Sequence, residues 1–181
     1  MSPSVHLNDS RALIYDWFKS WVDIVPTRKF SALNIHPLVN EALNSNSLSN
    51  CFERFINAGE RLSIGMWEKA HHCFESSLLP FEHFATTPLS TQIKAWIVAN
   101  YDGPESDHST TSLSQLLAIM TDLSLHNPLH EQHHLLHNYL LPLSQHSRLA
   151  LPLCAGPYRQ LSELLYRWCL IEDQWLTQHA H

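Results

Sequence analysis

Towards the end of the chain, apolar residues recur at every third or fourth position. Leu161, Leu164, Leu165 and Trp168 are followed by Ile171 or Glu172, then Trp175. That spacing is one face of a helix turning every 3.6 residues. The same period returns along most of the chain. Nowhere does strict apolar/polar alternation run between turn signals, as a half-buried strand would require. With 4 glycines in 181 residues, the chain also lacks the tight-turn supply of a sandwich or barrel. These features predict an all-α protein: a single-domain bundle of about eight to ten helices over residues 1–181. The hydrophobic share, 44%, is enough to fill its core.

Breakers divide the pattern. Residues 1–8 read as a loose tail, and Asp9 or Ser10 can cap a helix carrying Leu13, Ile14, Trp17, Phe18 and Trp21. Pro26 stops it. Pro37 opens a short helix through Leu43. A helical run with Phe52, Phe55 and Ile56 is interrupted at Asn57-Ala-Gly59. The next carries Leu62, Met66, Trp67, Ala70 and Phe74 and ends at Pro80. Pro80-Phe-Glu-His-Phe84 is an aromatic link, and Thr87-Pro88 starts a helix with Leu89, Ile93, Trp96 and Ile97. Asn127-Pro128 starts a histidine-rich helix that Pro142 bends or ends. Ala155-Gly-Pro157 marks the last loop.

One junction stands out. In Tyr101-Asp-Gly-Pro-Glu-Ser-Asp-His108, Gly103 can take the left-handed C′ conformation and Pro104 blocks continuation of the helix. Asp107 or Ser109 can then cap a helix with Leu113, Leu116, Leu117, Met120 and Leu123. As structure, Asp107 is an N-cap with His108 its exposed neighbour. As function, it is a carboxylate placed to receive an arginine in a charge-assisted bond.

Charge and cysteine content narrow the classes. Acids exceed bases by 17 to 11, the wrong sign for a nucleic-acid partner and the right one for a basic peptide. Cys51, Cys73, Cys154 and Cys169 are far apart with no C-x-x-C, which reads as buried, reduced thiols. No secretory pattern and no 18-residue apolar run appear, so membrane insertion is not expected and the cytoplasm is the simplest location.

His130-Glu-Gln-His-His134 matches H-E-x-x-H. On a helix, His130 and His134 share a face for one zinc ion, with Glu131 as general base. His137 lies too far along a straight helix to be a third ligand, and Glu163 is the distant alternative. Among 14 histidines a chance match is the bland reading, with solvated surface side chains. His71-His72 and His179-Ala-His181 read likewise. No phosphate-cradling loop or nucleophile elbow is visible. Trp67 and Trp96 suit the core, or else the wall of an apolar groove.

Pro104, Asp107 and His108 are followed by Leu113 and Leu116, five and eight residues after the histidine. Upstream stand Arg11-Ala-Leu-Ile-Tyr-Asp-Trp17 and Pro80-Phe-Glu-His-Phe84; downstream stand Tyr139-Leu-Leu-Pro142-Leu143 and Pro157-Tyr158. In this set and order the chain resembles the TorD/DmsD family of redox-enzyme maturation chaperones, over about residues 11 to 176. It departs from the family pattern by one extra residue between Pro104 and Asp107, by His83 for Ser, and by Tyr139 and Leu143 for His and Trp.

The resemblance implies a cytoplasmic, non-enzymatic, all-α chaperone without a cofactor of its own. Its partners would be the twin-arginine signal peptide and the apo form of a molybdenum-cofactor oxidoreductase, whose export it delays and whose cofactor insertion it assists. Asp107 would pair with a peptide arginine beside His108, with Pro104 and Tyr101 shaping the hinge. Trp67, Pro80, Phe81 and Phe84 would form groove wall. A domain-swapped homodimer about the 103–104 hinge is compatible with this family. Guanine-nucleotide binding, also a family property, has no motif here.

Overall fold

The computed structural model describes residues 3–23, 35–45, 47–82, 88–100, 112–126 and 128–180. They form α1 (Pro3–Asp23), α2 (Pro37–Leu43), α3 (Ser49–Glu60), α4 (Ile64–Glu82), α5 (Pro88–Asn100), α6 (Leu113–His126), α7 (Leu129–Leu135), α8 (Leu141–Ala150) and α9 (Pro157–His179). A π-helical turn, Leu136–Leu140, joins α7 to α8, and a 3-10 turn, Leu153–Ala155, precedes α9. No strand occurs among the described residues, so the protein is all-α as its periodicity predicts.

The framework is α1 laid along α6, with α9 packed on α3, α7 and α8. α9 buries Leu161, Leu164, Leu165, Trp168, Cys169 and Leu176, and α6 buries Leu113, Leu116, Leu117, Ile119, Met120 and Leu123. Between α1, α3, α4 and α9 sits an aromatic cluster. Trp21 stacks on Trp67 at 5.3 Å, and Trp67 meets Tyr158 edge-on at 5.6 Å. Phe74 stacks on Tyr158 at 4.8 Å. His71, expected on the surface, is 5% exposed in this cluster. Its Nε2 is 2.9 Å from the Val22 carbonyl, so a buried polar ring has its partner.

Several boundaries differ from the sequence reading. α1 begins at Pro3, so Asp9 lies inside it rather than capping it. α3 runs through Asn57-Ala-Gly59 and ends at Glu60. A single glycine costs about 1 kcal/mol in a helix and does not terminate it. α4 likewise continues through Pro80 to Glu82, because a proline in the last turn forfeits only one backbone bond. α6 starts at Leu113, where Ser112 Oγ accepts from the Gln115 N–H at 3.1 Å. The cap of α6 is therefore Ser112; Asp107 and Ser109 lie outside the described residues.

Pro142 neither ends its helix nor breaks the rod. It lacks the N–H that would bond back along the helix. The preceding turn widens, and the Leu141 N–H donates to the Leu136 carbonyl, five residues back. Leu135, Leu136, Tyr139, Leu140 and Leu143 then all face inward.

The cysteine expectation is corrected for two of the four residues. Cys51 and Cys169 are free and buried, but Cys73 and Cys154 form a disulfide between α4 and the 3-10 turn. Their 81-residue separation carries no local signature; the pairing follows from the packing of that turn on α4.

On the surface, Glu163 accepts from Arg167 Nε at 2.7 Å and from Arg148 Nη1 at 3.3 Å. Burial opposes its ionisation, but the Arg167 bond and the Arg148 charge outweigh this and lower its pKa. A carboxyl with a lowered folded pKa adds stability above its ordinary value, near 4.3. That contribution is lost as pH falls through the folded value. Melts of Glu163→Gln at pH 7 and pH 3 are expected to show a smaller acid-induced drop than the parent. The difference should be under about 1 kcal/mol, because these side chains are partly solvated.

Candidate functional site

Eight residues are expected at a peptide site. Phe84, Tyr101, Pro104, Asp107 and His108 lie outside the described residues, as do the side chains of Pro80 and Phe81. Trp67 is located, 1% exposed and enclosed by Trp21, Phe55 and Tyr158. Its faces are taken up by core packing, so of its two readings the core is the one realised.

The described residues do contain a cleft of ≈ 180 Å³, opening between α1, α2 and α9. Ile14, Ala42, Trp168, Ile171 and Trp175 supply its apolar walls, with Arg11 and Glu172 beside them. Arg11 is 2% exposed, yet it is charged. Its Nε donates to Glu172 Oε2 at 2.7 Å, and the Tyr15 hydroxyl donates to the same oxygen at 3.3 Å. The guanidinium lies over the Trp175 ring at 4.7 Å. Burial raises the Glu172 pKa, against the pull of Arg11. Burial, then the Glu172 charge, push the Tyr15 hydroxyl well above its usual value. Among the described residues, the buried Arg11 Nη1 and Nη2 and Trp168 Nε1 meet no acceptor. The cleft is thus lined almost wholly by apolar side chains, with the buried Arg11–Glu172 pair beside them.

α9 explains how this arises. Ile171 and Glu172 compete for one inward position in the sequence. The structure turns Ile171 to the surface at 36% exposure and buries Glu172 at 4%. Arg11 lies 161 residues away and is the reason, but nothing local announces it.

The H-E-x-x-H string does not converge as its zinc reading requires, and His130 and His134 are exposed, as its surface reading has them. His130 is exposed and only 4.0 Å from its neighbour Glu131. His134 stacks instead on Trp96 at 5.6 Å. Glu163, the distant third ligand, is taken up by Arg148 and Arg167. The histidines that do converge are His133 and His137, and they meet Asp173 of α9. His137 Nδ1 is 2.9 Å and His133 Nε2 3.3 Å from Asp173 Oδ1. Thr177 Oγ1 is 3.2 Å from His133 Nε2. The His-x-x-x-His spacing was readable in the sequence, but Asp173 was not.

Compared with known proteins, the chain matches no family model, no curated protein and no solved structure. Among the described residues, no helix is long and apolar enough to cross a membrane.

Proposed function

We propose that this chain is a cytoplasmic maturation chaperone. It binds the twin-arginine signal peptide of a molybdenum-cofactor oxidoreductase and keeps the apo-enzyme back from export until its cofactor is inserted. The observation that carries this reading is the cleft between α1, α2 and α9. Its walls are apolar, from Ile14, Ala42, Trp168, Ile171 and Trp175. The apolar stretch of a signal peptide offers what such a cleft lacks: side chains that cover its walls.

The chain's net charge of −6 suits a leader that begins with arginines. Leu113 and Leu116, the two leucines that follow His108 at the family's offsets, are 2% and 0% exposed and anchor α6 in the core. In this reading Asp107 pairs with a peptide arginine and the cleft takes apolar residues further along.

Calorimetry with a synthetic twin-arginine signal peptide tests the proposal. The parent chain should bind, and Asp107→Ala should lose about 1.5–3 kcal/mol, the value of a hydrogen bond to a charged group. Absence of binding by the parent would overturn the function. Equal affinity in Asp107→Ala would remove that carboxylate from the site.

A further inference from the structure

We infer that His133, His137 and Asp173 form a binding site for one divalent first-row transition ion, of which zinc is the representative. The inference does not depend on the proposed function. The three donor atoms are His133 Nε2, His137 Nδ1 and Asp173 Oδ1, and all lie within 4.8 Å of one another. A zinc ion with bonds near 2.0–2.1 Å in a tetrahedral site holds its donors about 3.3–3.4 Å apart. One imidazole–carboxylate separation, 3.3 Å, already matches that distance, and the other, 2.9 Å, is about 0.4 Å shorter. The two imidazoles need to close by about 1.4 Å at most to meet the same figure. Side-chain rotation supplies this, because the His137 side chain is 56% exposed.

The chemistry of the donors selects the ion. Two imidazoles and one carboxylate suit zinc and its neighbours, whereas calcium and magnesium prefer oxygen alone. Three protein ligands leave a fourth position for water or another small ligand. Asp173 Oδ1 can only accept hydrogen bonds, so in the metal-free chain His137 Nδ1, 2.9 Å away, carries the hydrogen between them. A cation takes the place of that hydrogen. Thr177 Oγ1 donates to the Asp173 carbonyl at 2.7 Å and so tethers the rim of the site to the backbone of α9.

His133 lies in α7 and His137 in the π-helical turn that follows. Both reach Asp173 of α9, so a bound ion would clamp the α7–α8 rod to the last helix. The site is open enough for an ion to enter: the His133 and Asp173 side chains are 29% and 20% exposed.

Zinc titration by calorimetry of the untagged, chelator-stripped full chain tests the inference. One zinc per chain is expected at this site. His137→Ala and Asp173→Asn should each weaken it by about 100-fold, at or beyond the upper range for changes in the outer shell of a metal site. His130→Ala, in the H-E-x-x-H string, should leave it unchanged. The exposed side chain of His137 makes that variant safe for folding, which a circular-dichroism melt checks. No zinc uptake by the parent, or uptake unaffected by His137→Ala, would overturn the site. Loss on His130→Ala alone would assign the metal to the other histidine pair.

Discussion

Glu172→Ala is expected to lose about 3–5 kcal/mol of folding stability, the usual cost of leaving one member of a buried ion pair without its partner. At this chain length that corresponds to a fall of about 6–20 °C in the melting temperature. The cause is Arg11, whose side chain is 3% exposed and whose only ion-pair partner among the described residues is Glu172. Removing the carboxylate also takes an acceptor from the Tyr15 hydroxyl.

The double variant Arg11→Met/Glu172→Leu should recover most of the loss, since packed apolar side chains replace buried ion pairs at little or no cost. Urea unfolding of the two single variants and the double variant gives the coupling directly. A loss below about 1 kcal/mol in Glu172→Ala would place the pair in the range of solvated surface bridges.

Trp67→Ala is expected to cost a similar amount, about 3–5 kcal/mol, by a different route. Trp67 is 1% exposed and touches the rings of Trp21, Phe55 and Tyr158. Truncation removes its apolar burial and leaves a cavity that three rigid rings from α1, α3 and α9 cannot collapse to fill. Trp67→Phe, which keeps a ring in place, should lose less. Thermal melts of both variants check the order. Equal, small losses would mean that the indole faces solvent, as a groove wall would.

The helical reading succeeded where the signal was periodic. α9 follows its Leu161–Trp175 pattern, and Gly156 ends the preceding turn with φ 51°, a conformation that favours glycine. Single breakers do not stop a helix here. Gly59 and Pro80 sit inside helices, because packing outweighs a penalty of about 1 kcal/mol for glycine or one lost bond for proline. Ser112 was missed as a cap although Gln115 stands three residues on, the spacing of a capping box.

The candidate sites were less legible. His133 and His137 could be picked out as one helical face, but the more familiar H-E-x-x-H spacing drew attention to His130 and His134. Asp173 gave no sign of itself, being 36 residues from His137. The cysteines were similar: no spacing distinguishes the bonded Cys73 and Cys154 from the free Cys51 and Cys169.

By itself the sequence determined that this protein is helical, which face of most helices turns inward, and that its charge is negative. Those properties depend on neighbours within one or two turns, which the linear order specifies. Tertiary structure alone decided that Glu172 rather than Ile171 enters the core, that Cys73 meets Cys154, and that Asp173 sits between two histidines. Each is a contact across tens to more than a hundred residues, and a partner at that distance is chosen by how the helices pack rather than by any spacing along the chain.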